Sequence, residues 1–297
     1  MISAPKLSYA SILLSIIACI PGCKVGPPLD EQTSAPQALI ELEQTSTTRS
    51  QSIDLQTAVK EIPPSLPISA LSDQIKESAQ DHSDLLQRIR DGYQLDLENL
   101  PVSVLDQRDW YLRNPKYIST VLSRAKPFIH YVTEQLSTAG LPLEIVLLPI
   151  VESTYDAFAY SPSHAAGLWQ FIPTTARRFG IDRNRWYDGR RDVVASTDAA
   201  IAYLSYLHQR FDNDWLLALA AYNSGEGTVG KAIRANIKKG KPTDFWNLKL
   251  PKETRNYVPK LLALAVIIRD AGTLNVSLPE IKDEAYFDII QIEKQIS

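Results

Sequence analysis

Cysteine is almost missing from this chain: there are two, at positions 19 and 23, and none after them. Everything beyond residue 23 must therefore be held by an apolar core rather than by disulfides. Histidine is scarce as well, with four residues at 82, 130, 164 and 208 that show no ligand spacing. A structural metal is not expected. Neither sign of charge dominates, with 31 Lys and Arg against 34 Asp and Glu and a formal net charge of -3. A bulk polyanion binder is disfavoured, and nucleic acid is not an expected partner. No phosphate-binding glycine loop is present, and nothing calls for a cofactor. Ser161 and Ser163 lack a nucleophile-elbow context, and the adjacency of Ser163 and His164 does not make a triad.

Long apolar runs are also missing. The only one near the N-terminus, residues 7–18 after Lys6, is short for a membrane span and reads as a secretory signal. Ile16-Ile17-Ala18-Cys19 resembles a bacterial lipobox, and so does Ile20-Pro21-Gly22-Cys23. The resemblance implies that Cys19 or Cys23 becomes the lipidated first residue. Cys19 has the more ordinary preceding residues, whereas Cys23 has a small glycine before it. The alternatives are a signal peptide whose cysteines are discarded and a poor single-pass anchor. Several acyl chains would anchor the protein stably, since each buried CH2 contributes about 0.8 kcal/mol. The residue after the cysteine is Ile20 or Lys24, not Asp. In lipoproteins that implies the outer membrane, facing the periplasm.

The chain divides by composition into a signal and lipobox at 1–23, a tether at 24–80, a leading helical segment at 81–104, a main domain at 105–272 and a tail at 273–297. Residues 24–80 are rich in Gln, Ser, Thr, Glu and Pro, with a stiff patch at Pro63, Pro64 and Pro67. Leu85, Leu86 and Ile89 predict a helix face, and Trp110 and Tyr111 open a second stretch. Asn114-Pro115 reads as a helix start. Ile118, Leu122, Ala125, Phe128, Ile129, Val132 and Leu136 follow at helical spacing, with a bend at Pro127. Pro142 opens a buried helix over 143–155, kinked at Pro149. Further helices are predicted at 173–180, 193–211, 215–222, 228–238 and 253–270, with Gly225 and Gly227 breaking the pattern. The fold class is all-α. Only residues 285–292 read as a lone strand.

Three clusters carry candidate chemistry. Glu152 ends the apolar run 145–151, so its carboxyl should be desolvated and raised in pKa, as a general acid requires. The alternative is a helix-terminal Glu that faces water. Gly167-Leu168-Trp169-Gln170 combines an aromatic and an amide, a pairing suited to sugars, although a loop with one core tryptophan would read the same way. Ala220-Ala221-Tyr222-Asn223-Ser224-Gly225 ends a helix, and Tyr222 could set its hydroxyl against Glu152. It could equally be a plain helix stop.

Together these runs carry a resemblance. Leu148-Pro149-Ile150-Val151-Glu152-Ser153, Gly167-Leu168-Trp169-Gln170 and Ala221-Tyr222-Asn223-Ser224-Gly225 resemble the lytic transglycosylases with a soluble-lytic-transglycosylase catalytic domain. So do Arg191-Asp192-Val193-Val194-Ala195-Ser196-Thr197, Asp214-Trp215-Leu216-Leu217 and Glu253-Thr254-Arg255-Asn256-Tyr257-Val258-Pro259-Lys260. The resemblance implies a lysozyme-like fold and cleavage of the β-1,4 bond between N-acetylmuramic acid and N-acetylglucosamine in peptidoglycan, leaving 1,6-anhydromuramyl ends. It makes Glu152 the catalytic acid and base, places Ser161 and Gln170 at the muramyl site, and sets Tyr222 and Asn223 beside the carboxyl. Gly225 would allow close approach, and Glu253 and Tyr257 would lie near the cleavage point. Partners would be glycan strands and, through the lipid anchor, a membrane.

Two departures accompany it. The loop at Ser163-His164 is bulkier than the glycine-containing stretch often found there. Relatives also carry glycan-binding LysM modules after the catalytic domain. None occurs up to Ser297, and Tyr286-Phe287-Asp288-Ile289-Ile290 resembles the junction that precedes them. Ordinary glycosidases use two carboxyls, and here only Glu152 stands out, although Asp156 lies one turn further on. A muramidase of the same fold and an inactive murein-binding lipoprotein are the rival readings.

Overall fold

The computed structural model describes residues 83–290. Cys19, Cys23, the tether at 24–80 and residues 291–297 lie outside the described residues. Helix α1 (Leu85–Asp91) starts at Asp84, whose carboxylate accepts from the Leu86 N–H at 3.1 Å. Leu85, Leu86 and Ile89 are buried in the same core as the later helices. Helix α2 (Val102–Arg113) has Trp110 and Tyr111 near its end rather than at its start. Helix α3 (Pro115–Ala125) has proline in its first turn, where the missing N–H is no loss. Helix α4 (Ile129–Thr138) is separate from α3, so the predicted bend at Pro127 is a full break.

The segment that carries Glu152 departs from its sequence reading. Leu143–Leu147 is a 3-10 helix, and α5 (Leu148–Ser153) is a new α-helix. Pro149 lies in the first turn of α5, so it marks a helix start rather than a kink within one helix. Thr154 and Tyr155 then take left-handed backbone angles, with φ of 54 and 60, and end the helix one residue after Ser153. Such angles are strained for residues with a Cβ. Tyr155 is tied down by its hydroxyl, which donates to the Val146 carbonyl at 2.9 Å.

Helix α6 (Pro173–Arg178) is followed by α7 (Val193–Arg210), capped by Asp192 through the Val194 and Ala195 N–H groups. Helix α8 (Trp215–Ser224) is capped by Asp214 through the Leu217 N–H at 3.0 Å. Gly225 separates α8 from α9 (Glu226–Ile237), but Gly227 lies inside α9 and breaks nothing. A 3-10 turn at Phe245–Asn247 leads to α10 (Lys252–Arg269).

Helix α10 is the axis of the core. Every residue from Leu261 to Ile268 is buried, the pattern of a helix surrounded on all sides. It packs against α2, α5, α8 and the 3-10 helix before α5, while α8 packs against α7 and α9. The described residues are all-α, with isolated β-bridges and no strand. The strand expected over 285–292 is absent through residue 290. A lone extended segment has no neighbour to pair with in a helical fold. Just before it the chain is held by one bridge, Asp84 to Lys282, and by the Leu85 N–H donating to the Ile281 carbonyl at 2.8 Å, and within it Phe287 packs against Tyr131. Among the described residues no helix is long and apolar enough to cross a membrane.

Candidate active site

A cleft of about 490 Å³ brings together Glu152, Ser161, Gln170, Tyr222, Asn223, Gly225, Glu253 and Tyr257. These side chains come from α5, the loop before α6, the end of α8 and the start of α10, so residues up to 105 positions apart meet in one wall. Glu253, Tyr257 and Lys260 are spaced i, i+4, i+7 on α10 and all line the cleft.

Glu152 is part-buried at the end of its apolar helix. Burial pushes its carboxyl up to about 7, the Tyr257 hydroxyl lowers it, and the charge of nearby Glu253 raises it. The hydroxyl that meets Glu152 is that of Tyr257, donating to Oε1. Tyr222 lines the same cleft and feels the charge of Glu152, but makes no hydrogen bond to it. The Tyr222 hydroxyl donates instead to the Trp169 carbonyl at 2.8 Å and so ties α8 to the Gly167–Gln170 turn. The reason lies in the helix geometry: Tyr222 reaches across to the loop, and α10 packs beside α5. Burial, with the negative charge of Glu152, holds both phenols well above their ordinary range.

The loop is held by Gly167, from the quoted motif, and by Arg190 and Asp188, which the sequence did not single out. Gly167 has φ of 80, and a Cβ there would lie 1.7 Å from the Arg190 carbonyl oxygen, so only glycine fits. Arg190 is 1% exposed. Its guanidinium donates to the His164 and Phe171 carbonyls at 2.7 and 3.0 Å and forms a two-pronged pair with Asp188. Ser161 Oγ accepts from the Ala165 N–H at 3.0 Å and shares a hydrogen bond with Ser163. The Gln170 amide nitrogen donates to the Gly167 carbonyl at 2.8 Å, which leaves its oxygen to accept from a ligand. Trp169 is fully buried, with its N–H donating to Thr197, so it is a core residue and not a sugar platform.

On the opposite side, buried Thr254 donates to the Asn223 side-chain oxygen at 2.8 Å. That fixes the amide so that its NH2 group remains available to donate. Gly225, with φ of 84 and open space where a Cβ would stand, completes this rim. Asp156 does not join the cleft. The helix ends before it, and its carboxylate accepts from the Phe158 N–H at 2.9 Å in an exposed turn. The second carboxylate of the cleft is Glu253. Away from the cleft, His130, Glu134 and Asp283 lie close enough to hold a cation, but Arg88 already hydrogen-bonds both carboxylates.

The family profile described as transglycosylase SLT domain matches residues 132–245. Membrane-bound lytic murein transglycosylase D of Escherichia coli (strain K12) is 51% identical over 176 residues, which cover 59% of this chain and 39% of that protein. A protein of Alteromonas sp. (strain M-1) named for tributyltin chloride resistance is 42% identical over 147 residues, 50% of this chain and 70% of that one. Among solved structures, an inactive mutant of the lytic transglycosylase Slt from Pseudomonas aeruginosa aligns at 25% identity with a TM-score of 0.40, covering 63% of this chain and 32% of that one. The chain thus spans well under two thirds of the murein transglycosylase it matches, yet most of the Alteromonas relative. The matched profile encloses Glu152, Ser161, Gln170, Tyr222, Asn223 and Gly225. With that profile and that coverage, the chain belongs to the transglycosylase SLT domain family.

Proposed function

We propose that this protein is a peptidoglycan lytic transglycosylase that cleaves the β-1,4 bond between N-acetylmuramic acid and N-acetylglucosamine without consuming water. The observation that carries the reading is one carboxyl, Glu152, raised to about 7 and facing a sugar-sized cleft. Tyr257 occupies Oε1, so the transferable proton sits on Oε2. Glu152 donates that proton to the glycosidic oxygen as the bond to C1 breaks. The muramyl acetamido oxygen stabilises the charge left at C1. The resulting carboxylate takes the proton of the same sugar's C6 hydroxyl, and O6 bonds to C1. The attack is intramolecular and gains from proximity. Ser161, Gln170 and the Asn223 NH2 group orient the muramyl sugar. On the same reading, the chain is an outer-membrane lipoprotein acylated at Cys19 or Cys23, and residues 24–80 give a periplasmic catalytic domain at 105–272 its reach.

Glu253 favours a second reading. A carboxylate in the same cleft is what a hydrolytic muramidase would need to activate water. Mass spectrometry of glycan ends released from purified murein in 18O-labelled water separates the two. Anhydromuramyl ends without label are expected. Labelled reducing muramyl ends would replace the transglycosylase by the muramidase, and no cleavage at all would leave an inactive murein-binding protein.

A further inference from the structure

A second cavity, of about 410 Å³, is lined by Asp106, Gln107, Trp110, Tyr111, Arg113 and Tyr117, and it shares Val151 and Lys260 with the Glu152 cleft. The two hollows therefore adjoin at Val151, next to Glu152, and at Lys260, while Ser161 and Gln170 line only the first. The new walls come from α2 and α3, ahead of the residues matched by the family profile. On α2, Asp106, Trp110 and Arg113 are spaced i, i+4, i+7, so one helix face carries an acceptor, a ring and a cation. Packing of α2 against α10 sets that face next to Lys260.

Trp110 is 44% exposed, whereas Trp169 in the cleft loop is fully buried. The indole is braced edge-on by Tyr111 and Tyr117, with ring centroids 5.2 and 5.6 Å away. Edge contacts of this kind hold the ring in place and leave a face uncovered. A rigid, half-exposed ring flanked by a carboxylate, an amide and a guanidinium has the chemistry of a pyranose platform: the ring covers the apolar C–H face and the polar groups take the hydroxyls.

We infer that the Trp110–Tyr117 hollow is an accessory subsite that holds a further sugar of the glycan strand, where it adjoins the Glu152 cleft at Val151 and Lys260. The inference rests on the transglycosylase reading, because it takes its occupant from the cleft it continues. A strand long enough to reach the hollow would bind more tightly and be cut in better register than a short one.

The test uses the full chain carrying Glu152→Gln, so that bound strands stay intact, with peptide-free murein glycans of four and eight sugars as probes. Affinity is read by calorimetry. Adding Trp110→Ala should weaken the eight-sugar strand by about 10-fold, some 1.4 kcal/mol, and the four-sugar strand far less. Trp110→Phe, which keeps a ring, should recover part of the loss. Trp186→Ala, at a tryptophan 89% exposed and outside both cavities, is the control and should change neither affinity. Equal affinities in the Trp110→Ala variant and its parent, or an equal loss for both strand lengths, would overturn the subsite while cleavage by the wild type kept the enzyme reading intact. With the same strands carrying their stem peptides as a second probe pair, a loss confined to the peptide-bearing strands would overturn a sugar as the occupant. Failure of every variant to bind either strand, together with no cleavage by the wild type, would overturn the enzyme reading itself.

Discussion

Two glutamates stand eight positions apart at the two ends of one apolar segment, and they do opposite work. Glu144 is fully buried, and its carboxylate accepts the Leu95 N–H at 2.7 Å and the Gln94 N–H at 3.0 Å. Glu152 meets one hydroxyl, that of Tyr257, and its Oε2 has no protein partner among the described residues. Burial is the largest influence on both and pushes both pKa values up. Desolvation alone therefore does not mark a catalytic acid. What separates the two is where the oxygens point: Glu144 spends them on backbone N–H groups, whereas Glu152 keeps one for the cleft. A buried carboxyl that is fully hydrogen-bonded is a brace, and one held at a single oxygen is a reagent.

The sharpest way to break this comparison is Glu152→Gln. Cleavage should fall by about 100- to 10,000-fold, because the amide can neither donate nor recover the proton. Stability should move the other way. The folded-state pKa of Glu152, about 7, lies above the unfolded value of 4.5, so the fold favours the protonated form. That contribution is fully present below the unfolded value and is lost as pH rises through about 7. Glutamine removes the loss, so the variant should be more stable than the parent above pH 7, by roughly 1–3 kcal/mol. Urea titrations at pH 5 and pH 8 measure it. A variant that is less stable at pH 8, or that still cleaves murein, would end the distinction drawn here.

Glu144→Leu should give the reverse pattern. Two buried N–H groups lose their acceptor, and the fold should weaken by roughly 2–4 kcal/mol. Turnover per folded molecule should hold, since Glu144 does not line the cleft. A shift in urea midpoint at unchanged slope, with specific activity corrected for the folded fraction, checks both halves. Full stability in this variant would mean that the N–H groups find water instead.

Much of this was legible in the sequence, and the parts that were not share a cause. Helical spacing and prolines at helix starts placed most helices, because each signal is local. Glu152 stood out by the apolar run before it. All eight expected site residues converge on one cleft, although they span four segments. Contacts between segments were not legible. Whether Tyr222 or Tyr257 meets Glu152 depends on which helix packs beside α5, and no local pattern encodes that. Trp169 and Trp110 looked alike as aromatic residues, yet one is core and the other surface. Arg190 clamps the cleft loop through carbonyls at 164 and 171, a role visible only once the loop has closed on it. The strand expected after residue 284 failed for the same reason: β-branched composition is local, but a strand needs a neighbour.

The gentlest test of the comparison is at Tyr257, whose hydroxyl is the one bond that separates Glu152 from a free carboxyl. Tyr257→Phe removes a donor that favours the ionised form, so the Glu152 pKa should rise further. The acid must be protonated to act, so wild-type kcat/KM should fall as pH rises through about 7. In the phenylalanine variant that alkaline limb should move to higher pH. The rate at the optimum should drop roughly 10-fold, as the carboxyl loses the bond that orients it, a cost near 1.4 kcal/mol. Tyr222→Phe is the discriminating partner. Its hydroxyl binds the Trp169 carbonyl, so its loss should slacken the loop and leave the limb in place. A limb that moves with Tyr222 and not with Tyr257 would hand the Glu152 contact back to Tyr222. A limb that moves with neither would mean that the proton in flight does not belong to Glu152.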